Sequence, residues 1–183
     1  MKRVLLILSR GFEELEAVAP LDLLRRARLE VVSASAGPDL AVEGSHGITL
    51  TADRLLDDCL TEAFDLVVLP GGPGVEGLRR DPRVLELVRD RHRRGLPLAA
   101  ICAAPLVLAD AGVSQGHVLT SFPGVEAELK GRVKAYSQER VVVDGQVITS
   151  RGAGTAEEFA LGLVAFLAGP EAAEKVRLSI VAR

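Results

Sequence analysis

Two side chains in this sequence pair chemical reach with a local pattern that could use it. One is the thiol of Cys102 in AAICAAP (99–105) and the other is the carboxyl of Glu16 in GFEELEA (11–17). Cys102 closes a short apolar run, with Ala100 two places before it, Ala104 two places after it, and then Pro105. Small-x-Cys-x-small is the pattern of a strand that turns sharply into a helix and exposes a nucleophile at the bend. Pro105 suits the first helical turn, where its missing N–H would have lacked a partner anyway. A thiol at a helix amino end faces unpaired N–H groups and the positive end of the dipole. Its pKa is therefore expected below the ordinary value, and the thiolate is the reactive form. The competing reading of the same run is an inert core thiol.

Glu13 and Glu14 need no role beyond complementing the dipole of a first helical turn. Glu16 differs, because Pro20 four residues on cannot donate to its carbonyl and crowds it. A carboxyl beside the thiol could donate a hydrogen bond when protonated, or carry a proton. Gly71 and Gly72, following DLVVLP, could present backbone N–H groups to a developing oxyanion, or simply form a tight turn. Gly72, Gly74 and Gly77 also satisfy G-x-G-x-x-G. However, the motif is not in the first βα unit, contains Pro73, and the next strand ends at Cys102 without an acidic residue for a ribose, so NAD binding is rejected. Cys59 and Cys102 show no CxxC and no histidine at ligand spacing, which argues against structural zinc and a disulfide framework.

The elements that must position these residues can be read along the chain. VLLIL (4–8), LEVVSAS (29–35), DLVVLP (65–70) and PLAAIC (97–102) are continuous apolar runs of strand length. Between them, EELEAVAPLDLLRRA and PRVLELVRDRHRRG carry leucines at helical spacing, the second closed by Gly95 and Pro97. Strands apolar on both faces and alternating with helices imply a parallel sheet covered on each side. Two hairpins interrupt the pattern: AVEGSHGITLT turning around Glu43–Gly47, and RVVVDGQVITS with a type I′ signal at Asp144-Gly145. The last clear helix starts at TAEEFALGLVAFLAGP, with a Thr155/Glu158 capping box and Gly169-Pro170 at its end. Cys59 is expected on the amphipathic face of a helix in DDCLTEAF.

The chain has 183 residues, 48% hydrophobic and 26% charged, a globular balance that suits one domain burying roughly 70% of its unfolded surface. A formal charge of −3 without a long basic run gives no electrostatic support for nucleic-acid binding. The apolar start is too short to span a membrane, so a cytoplasmic location is expected. The expected fold class is α/β: one doubly wound parallel sheet flanked by helices. In such sheets ligands collect beyond the carboxyl ends of the strands. Those ends here run into SRGFEELE, PGGPG, CAAP and RGAG, bringing glutamates, a glycine pair, a cysteine and Arg151 toward one edge.

GFEELEA, VVLPGGPG, AAICAAP and TSRGAGTAEEFAL, in this order and spacing, resemble the ThiJ/PfpI superfamily, and within it the branch of the parkinsonism-associated protein deglycase. The resemblance runs from Val4 to about Val181. It implies a flavodoxin-like fold, a homodimer, and a cysteine readily oxidised to a sulfinic acid. By motif match, Cys102 takes the place of that cysteine and Glu16 that of the nearby protonated carboxyl. Gly71 and Gly72 match the glycines of the oxyanion pocket, while Arg151 and Gly152 fall on a loop close to it. PfpI-type peptidases carry histidine directly after the cysteine; Ala103 stands there in this chain, which disfavours a Cys-His peptidase. The deglycase also has a histidine before proline near its cysteine, where this chain has Phe122 before Pro123. None of His46, His92 or His117 matches it, so Glu16 is left to handle proton transfer.

The resemblance implies a cysteine-dependent, glutathione-independent conversion of 2-oxoaldehydes, methylglyoxal to lactate, or deglycase-type repair of glycation adducts at the same site. Neither needs an external cofactor, because the reaction is an internal redox rearrangement. The alternative is an oxidation sensor or stress chaperone in which Cys102 becomes a sulfinate, its partner being an oxidant rather than an aldehyde.

Overall fold

Every side chain from Val4 to Leu8 is fully buried, so the first strand has no solvent face. It sends Val4, Leu6 and Leu8 into one apolar layer and Leu5 and Ile7 into the other. The two-residue period of an extended chain makes that division automatic. Leu66 and Val68 against Val67 and Leu69 repeat it, as do Ala99 and Ile101 against Leu98 and Ala100. Burying each large aliphatic side chain is worth about 1.5–3 kcal/mol, and residues of this kind dominate both layers.

The computed structural model describes residues 1–182. Its elements run β1 (Arg3–Leu8), α1 (Glu14–Arg26), β2 (Glu30–Ser35), β3 (Ala41–Glu43), β4 (Thr49–Thr51), β5 (Arg54–Leu55) and β6 (Leu66–Leu69). Then follow α2 (Val75–Arg80), α3 (Pro82–Arg93), β7 (Leu98–Ile101), α4 (Pro105–Asp110), β8 (Val118–Leu119) and α5 (Glu126–Leu129). The chain ends with β9 (Ala135–Tyr136), β10 (Val141–Asp144), β11 (Val147–Ser150), α6 (Ala156–Ala168) and α7 (Pro170–Ser179). The main sheet has seven strands in the order β10-β11-β7-β6-β1-β2-β5. All its neighbours are parallel except the β10–β11 hairpin. Strand order reverses between β1 and β6, the doubly wound pattern of flavodoxin-like sheets, with α1 and α6 packed together on one face. The α/β architecture expected from the alternating runs is the one observed.

Several local expectations are corrected. The β10–β11 turn is Gly145-Gln146, with Gly145 at φ +62° and Gln146 outside the left-handed region. That is the arrangement of a type II′ turn, not the type I′ turn that Asp144-Gly145 suggested. Thr155 does not cap α6. Its hydroxyl lies 2.7 Å from Ser150 Oγ and 2.8 Å from the Gly152 carbonyl, and Glu158 pairs with Arg140 instead. Gly169, at φ +91°, does end α6 as expected, and Pro170 then opens a further helix, α7, as its first residue, the position its fixed φ suits. Cys59 sits at the end of a single 3-10 turn, Leu56–Cys59, fully buried in the apolar layer of Leu5 and Ile7 rather than on a helix face. No helix among the described residues is long and apolar enough to cross a membrane.

Candidate active site

β7 ends at Ile101, and the next residue, Cys102, has φ +64°. Left-handed backbone costs a side-chain-bearing residue roughly 1–3 kcal/mol, so the surrounding structure must impose it. Two backbone bonds do so: the Cys102 N–H donates to the Ser150 carbonyl at 2.9 Å, and the Cys102 carbonyl accepts from the Phe122 N–H at 2.8 Å. Pro105 then opens α4. Cys102 thus stands on a sharp bend at the carboxyl edge of the sheet, with Phe122 tied directly to it.

Glu16 reaches the same point from the first turn of α1 and is fully buried. Glu13 begins that helix as its N-cap and accepts a hydrogen bond from the Glu16 N–H at 2.9 Å. One Glu16 oxygen, Oε2, accepts from the Gly71 N–H at 2.9 Å. The other, Oε1, is one of three buried side-chain polar atoms without a hydrogen-bond partner among the described residues, with His117 Nδ1 and Thr120 Oγ1. Gly71 explains how acid and sulfur come so close. A Cβ there would lie 2.5 Å from both the Cys102 Cβ and Glu16 Oε2, so those atoms are at most twice that distance apart. Only glycine fits. Gly72 adopts φ +88° with its missing Cβ 2.5 Å from the Glu13 nitrogen, a second close approach.

The electrostatics of the pair differ from the expectation for an isolated thiol. Burial pushes the Glu16 carboxyl up to about 7, well above its ordinary 4.5, with the Cys102 contact and the Gly71 N–H acting in the other direction. Burial also pushes the Cys102 thiol up, to about 12, and the adjacent Glu16 charge adds to that rise. The N–H groups of Gly72 and Ala103 favour the thiolate but do not outweigh these two effects. The lowered thiol pKa expected from a helix amino end is therefore corrected: α4 has only six residues, and desolvation and a like charge dominate at its start. Because the thiol is raised further than the acid, the proton the pair shares rests on sulfur, and its transfer to Glu16 gives the reactive thiolate plus carboxylic acid.

A cavity of about 810 Å³ opens over the pair, lined by Glu13, Glu16, His46, Cys102, Phe122 and Arg151 among others. Gly152 forms part of its wall, in extended backbone, and is fixed by its N–H to Thr155 Oγ1 at 3.1 Å. Arg151 donates to the Gln138 carbonyl at 3.0 Å and to its Oε1 at 2.6 Å, and has no carboxylate within salt-bridge distance among the described residues. Arg140, also on the cavity wall, is neutralised by Glu158. Gly71 does not offer its N–H to an oxyanion, since that donor is spent on Glu16; the donors facing the sulfur belong to Gly72 and Ala103.

Sequence reasoning missed two residues here. Glu14 is buried and anchors the β3–β4 turn, accepting from the His46 N–H at 2.7 Å and lying 2.9 Å from His46 Nδ1. Burial alone would raise its pKa, but the His46 bonds outweigh it and hold the carboxyl at about 2. An imidazole therefore does border the cavity, although from the hairpin rather than from the position of Phe122. Nothing in AVEGSHGITLT indicates that this turn folds back over α1. The signal available was Glu14 itself, one acid more than a helix start needs. The atoms of Glu13, Glu14 and His46 that could ligate a metal lie within 4.8 Å of one another, but two of those groups already bond each other.

Comparison with known proteins places this geometry in context. The sequence profile described as DJ-1/PfpI family matches residues 2–166. The Parkinson disease protein 7 homolog of Danio rerio is 39% identical over 183 residues, covering 98% of this chain and 97% of its own. The glutathione-independent glyoxalase DJR-1.2 of Caenorhabditis elegans is 34% identical over 168 residues, covering 92% and 89%. The crystal structure of Drosophila melanogaster DJ-1beta superposes with a TM-score of 0.95 at 40% identity, covering 100% of this chain and 98% of that one.

Proposed function

Because the chain belongs to the DJ-1/PfpI family, we propose that it converts 2-oxoaldehydes to 2-hydroxy acids without glutathione, using Cys102 and Glu16. The observation that carries this reading is the buried acid in contact with a sulfur on a left-handed bend, both facing one cavity. In the singly protonated pair the thiolate adds to the aldehyde carbon, and the carbonyl oxygen takes the Glu16 proton, giving a hemithioacetal. The Glu16 carboxylate then removes the proton from that carbon to give an enediolate, and the hydroxyl proton passes to the neighbouring oxygen. Reprotonation at the neighbouring carbon yields a thioester. Water attacks the thioester, releasing the 2-hydroxy acid and restoring the thiol. The aldehyde carbon is oxidised and the ketone carbon reduced, so no outside electron carrier takes part. Gly72 and Ala103 are the N–H donors nearest the developing negative charge, and Arg151 is the cation available to the product carboxylate. Release of glycation adducts from protein side chains would use the same atoms.

The test is lactate production from methylglyoxal by purified protein without glutathione. Production that disappears in Cys102→Ser supports the mechanism, and production that survives removes it. A second reading, oxidation sensing, draws on the same two N–H groups and the Glu16 acid, which suit the oxygens of a sulfinate at Cys102. A thiol that must stay reduced until it acts fits a reducing compartment such as the cytoplasm. Homodimer formation is supported by exposed Leu15 and Val18 on α1 and exposed Ile48 beside β4, apolar side chains that a second copy would cover.

A further inference from the structure

The cavity over Cys102 is far larger than a three-carbon aldehyde requires. At about 810 Å³ it falls in the range, roughly 300–1,000 Å³, that encloses much bulkier ligands. One part of its wall is unusual. Phe122 leaves 48% of its surface exposed, although a phenylalanine normally finds burial in a core of this size. The ring is held there. The Phe122 N–H donates to the Cys102 carbonyl at 2.8 Å, and its own carbonyl accepts from the Val125 N–H at 3.0 Å and the Ser121 hydroxyl at 3.1 Å. Pro123 follows and stiffens the turn.

Two glycines make room around the ring. A Cβ on Gly124 would lie 2.9 Å from Phe122 Cε1 and 3.1 Å from Cδ1, so any larger residue would displace it. A Cβ on Gly152 would lie 3.7 Å from both Phe122 Cδ2 and Glu16 Oε1. Gly152 therefore lets the ring edge stand close to the buried acid with no side chain between them. Pro123 and Ala153 extend the apolar wall beside it. A carbonyl bound at Cys102 would carry its substituent beside the exposed Phe122 ring.

We propose that Phe122 is a specificity-determining residue, an aromatic wall that makes the site prefer 2-oxoaldehydes bearing an aryl group over methylglyoxal. This rests on the oxoaldehyde reading of the site, and it assigns that reading a substrate class. An aryl ring packed edge-to-face or offset against Phe122 gains what a methyl group cannot.

The experiment has two arms. The first compares kcat/KM for phenylglyoxal and methylglyoxal in the wild type and in Phe122→Ala. The second needs no turnover: mandelate and lactate, the corresponding 2-hydroxy acids, compete with iodoacetamide for Cys102, and the concentration that halves alkylation is read for each. Mandelate is expected to protect at a concentration about tenfold below that of lactate, and Phe122→Ala should shrink that preference to about twofold or less. The kcat/KM ratio should fall by a similar factor. Phe122→Leu, which keeps bulk but loses the aromatic face, serves if the alanine variant does not fold, and should give an intermediate preference. Equal protection by the two acids in the wild type, or a preference that both variants retain, overturns the wall whether or not either aldehyde is consumed. A Phe122-dependent preference for mandelate without turnover of either aldehyde upholds the wall and removes the oxoaldehyde mechanism instead.

Discussion

The two ends of the same parallel sheet treat charge in opposite ways. At the amino ends of the strands a cavity of about 510 Å³ is lined by Lys2, Asp65, Asp90, Arg91 and Arg94, yet its charges are answered within the chain. Lys2 meets Asp65 at 2.9 Å and Arg94 meets Asp90 at 3.2 Å. Arg91, almost fully buried, donates to the Phe64 and Pro97 carbonyls at 2.9 Å each, and burial lowers its pKa to about 10. At the carboxyl ends, among the described residues, Glu16 keeps an oxygen without a partner, Cys102 sits in left-handed backbone, and Arg151 lacks a carboxylate. In a βαβ fold the loops leaving the strands carry the helix starts with their unpaired N–H groups, so the carboxyl edge is where polar groups remain available to a ligand. The lesson is that the two cavities differ in whether their charges are answered within the chain, and the unanswered groups stand at the carboxyl edge.

The comparison can be tested most severely at the two cysteines. Cys102→Ser should lower turnover by at least about a thousandfold, whereas Cys59→Ser should leave kcat within about twofold. Mild peroxide should add two oxygens to Cys102 and none to Cys59, because Cys59 is fully buried whereas Cys102 opens on the cavity. Equal oxidation of both thiols by mass spectrometry would erase the distinction between the sites.

Glu16→Gln should reduce turnover by about 10²–10⁴, the usual worth of a positioned acid–base group. It carries a stability signature as well. The folded chain holds the Glu16 proton up to about 7 while the unfolded chain releases it near 4.5. Stability is therefore full below about 4.5 and falls as pH rises toward 7, since the folded state binds the extra proton in that window. The glutamine variant should lose this slope and be more stable than wild type at pH 8 by on the order of 3 kcal/mol. Denaturant melts at pH 5 and pH 8 measure it, and parallel pH profiles for the two proteins would contradict the buried acid.

The smallest effect on activity belongs to the opposite edge. Arg91→Met leaves the Phe64 carbonyl without its donor, strips the Arg91 bonds from the Pro97 carbonyl, and should cost about 1–3 kcal/mol in a urea melt. Turnover by the protein that remains folded should stay within about twofold. A large loss of kcat would mean that the two edges are coupled.

Much of this was legible in the chain. The period-two burial of VLLIL, DLVVLP and PLAAIC needs only their apolar continuity, so the parallel sheet followed from pattern. Four motifs on the loops after the strands pointed to one edge. What escaped has a common character. The Glu14–His46 anchor joins residues far apart in sequence, and the Thr155 hydroxyl chose Gly152 and Ser150 over its own helix. The ionisation of Cys102 has the same character: the local helix start favours a thiolate, while burial in the packed fold, and after it the Glu16 charge arriving from α1, oppose it.

By itself, then, the sequence determined which residues could react and on which kind of sheet they would stand, because strand burial and backbone bends are written in short-range pattern. Only the tertiary structure decided how the reacting groups share their protons and what bounds the space above them. Desolvation and contact between separate loops depend on distances that close only when the two layers pack.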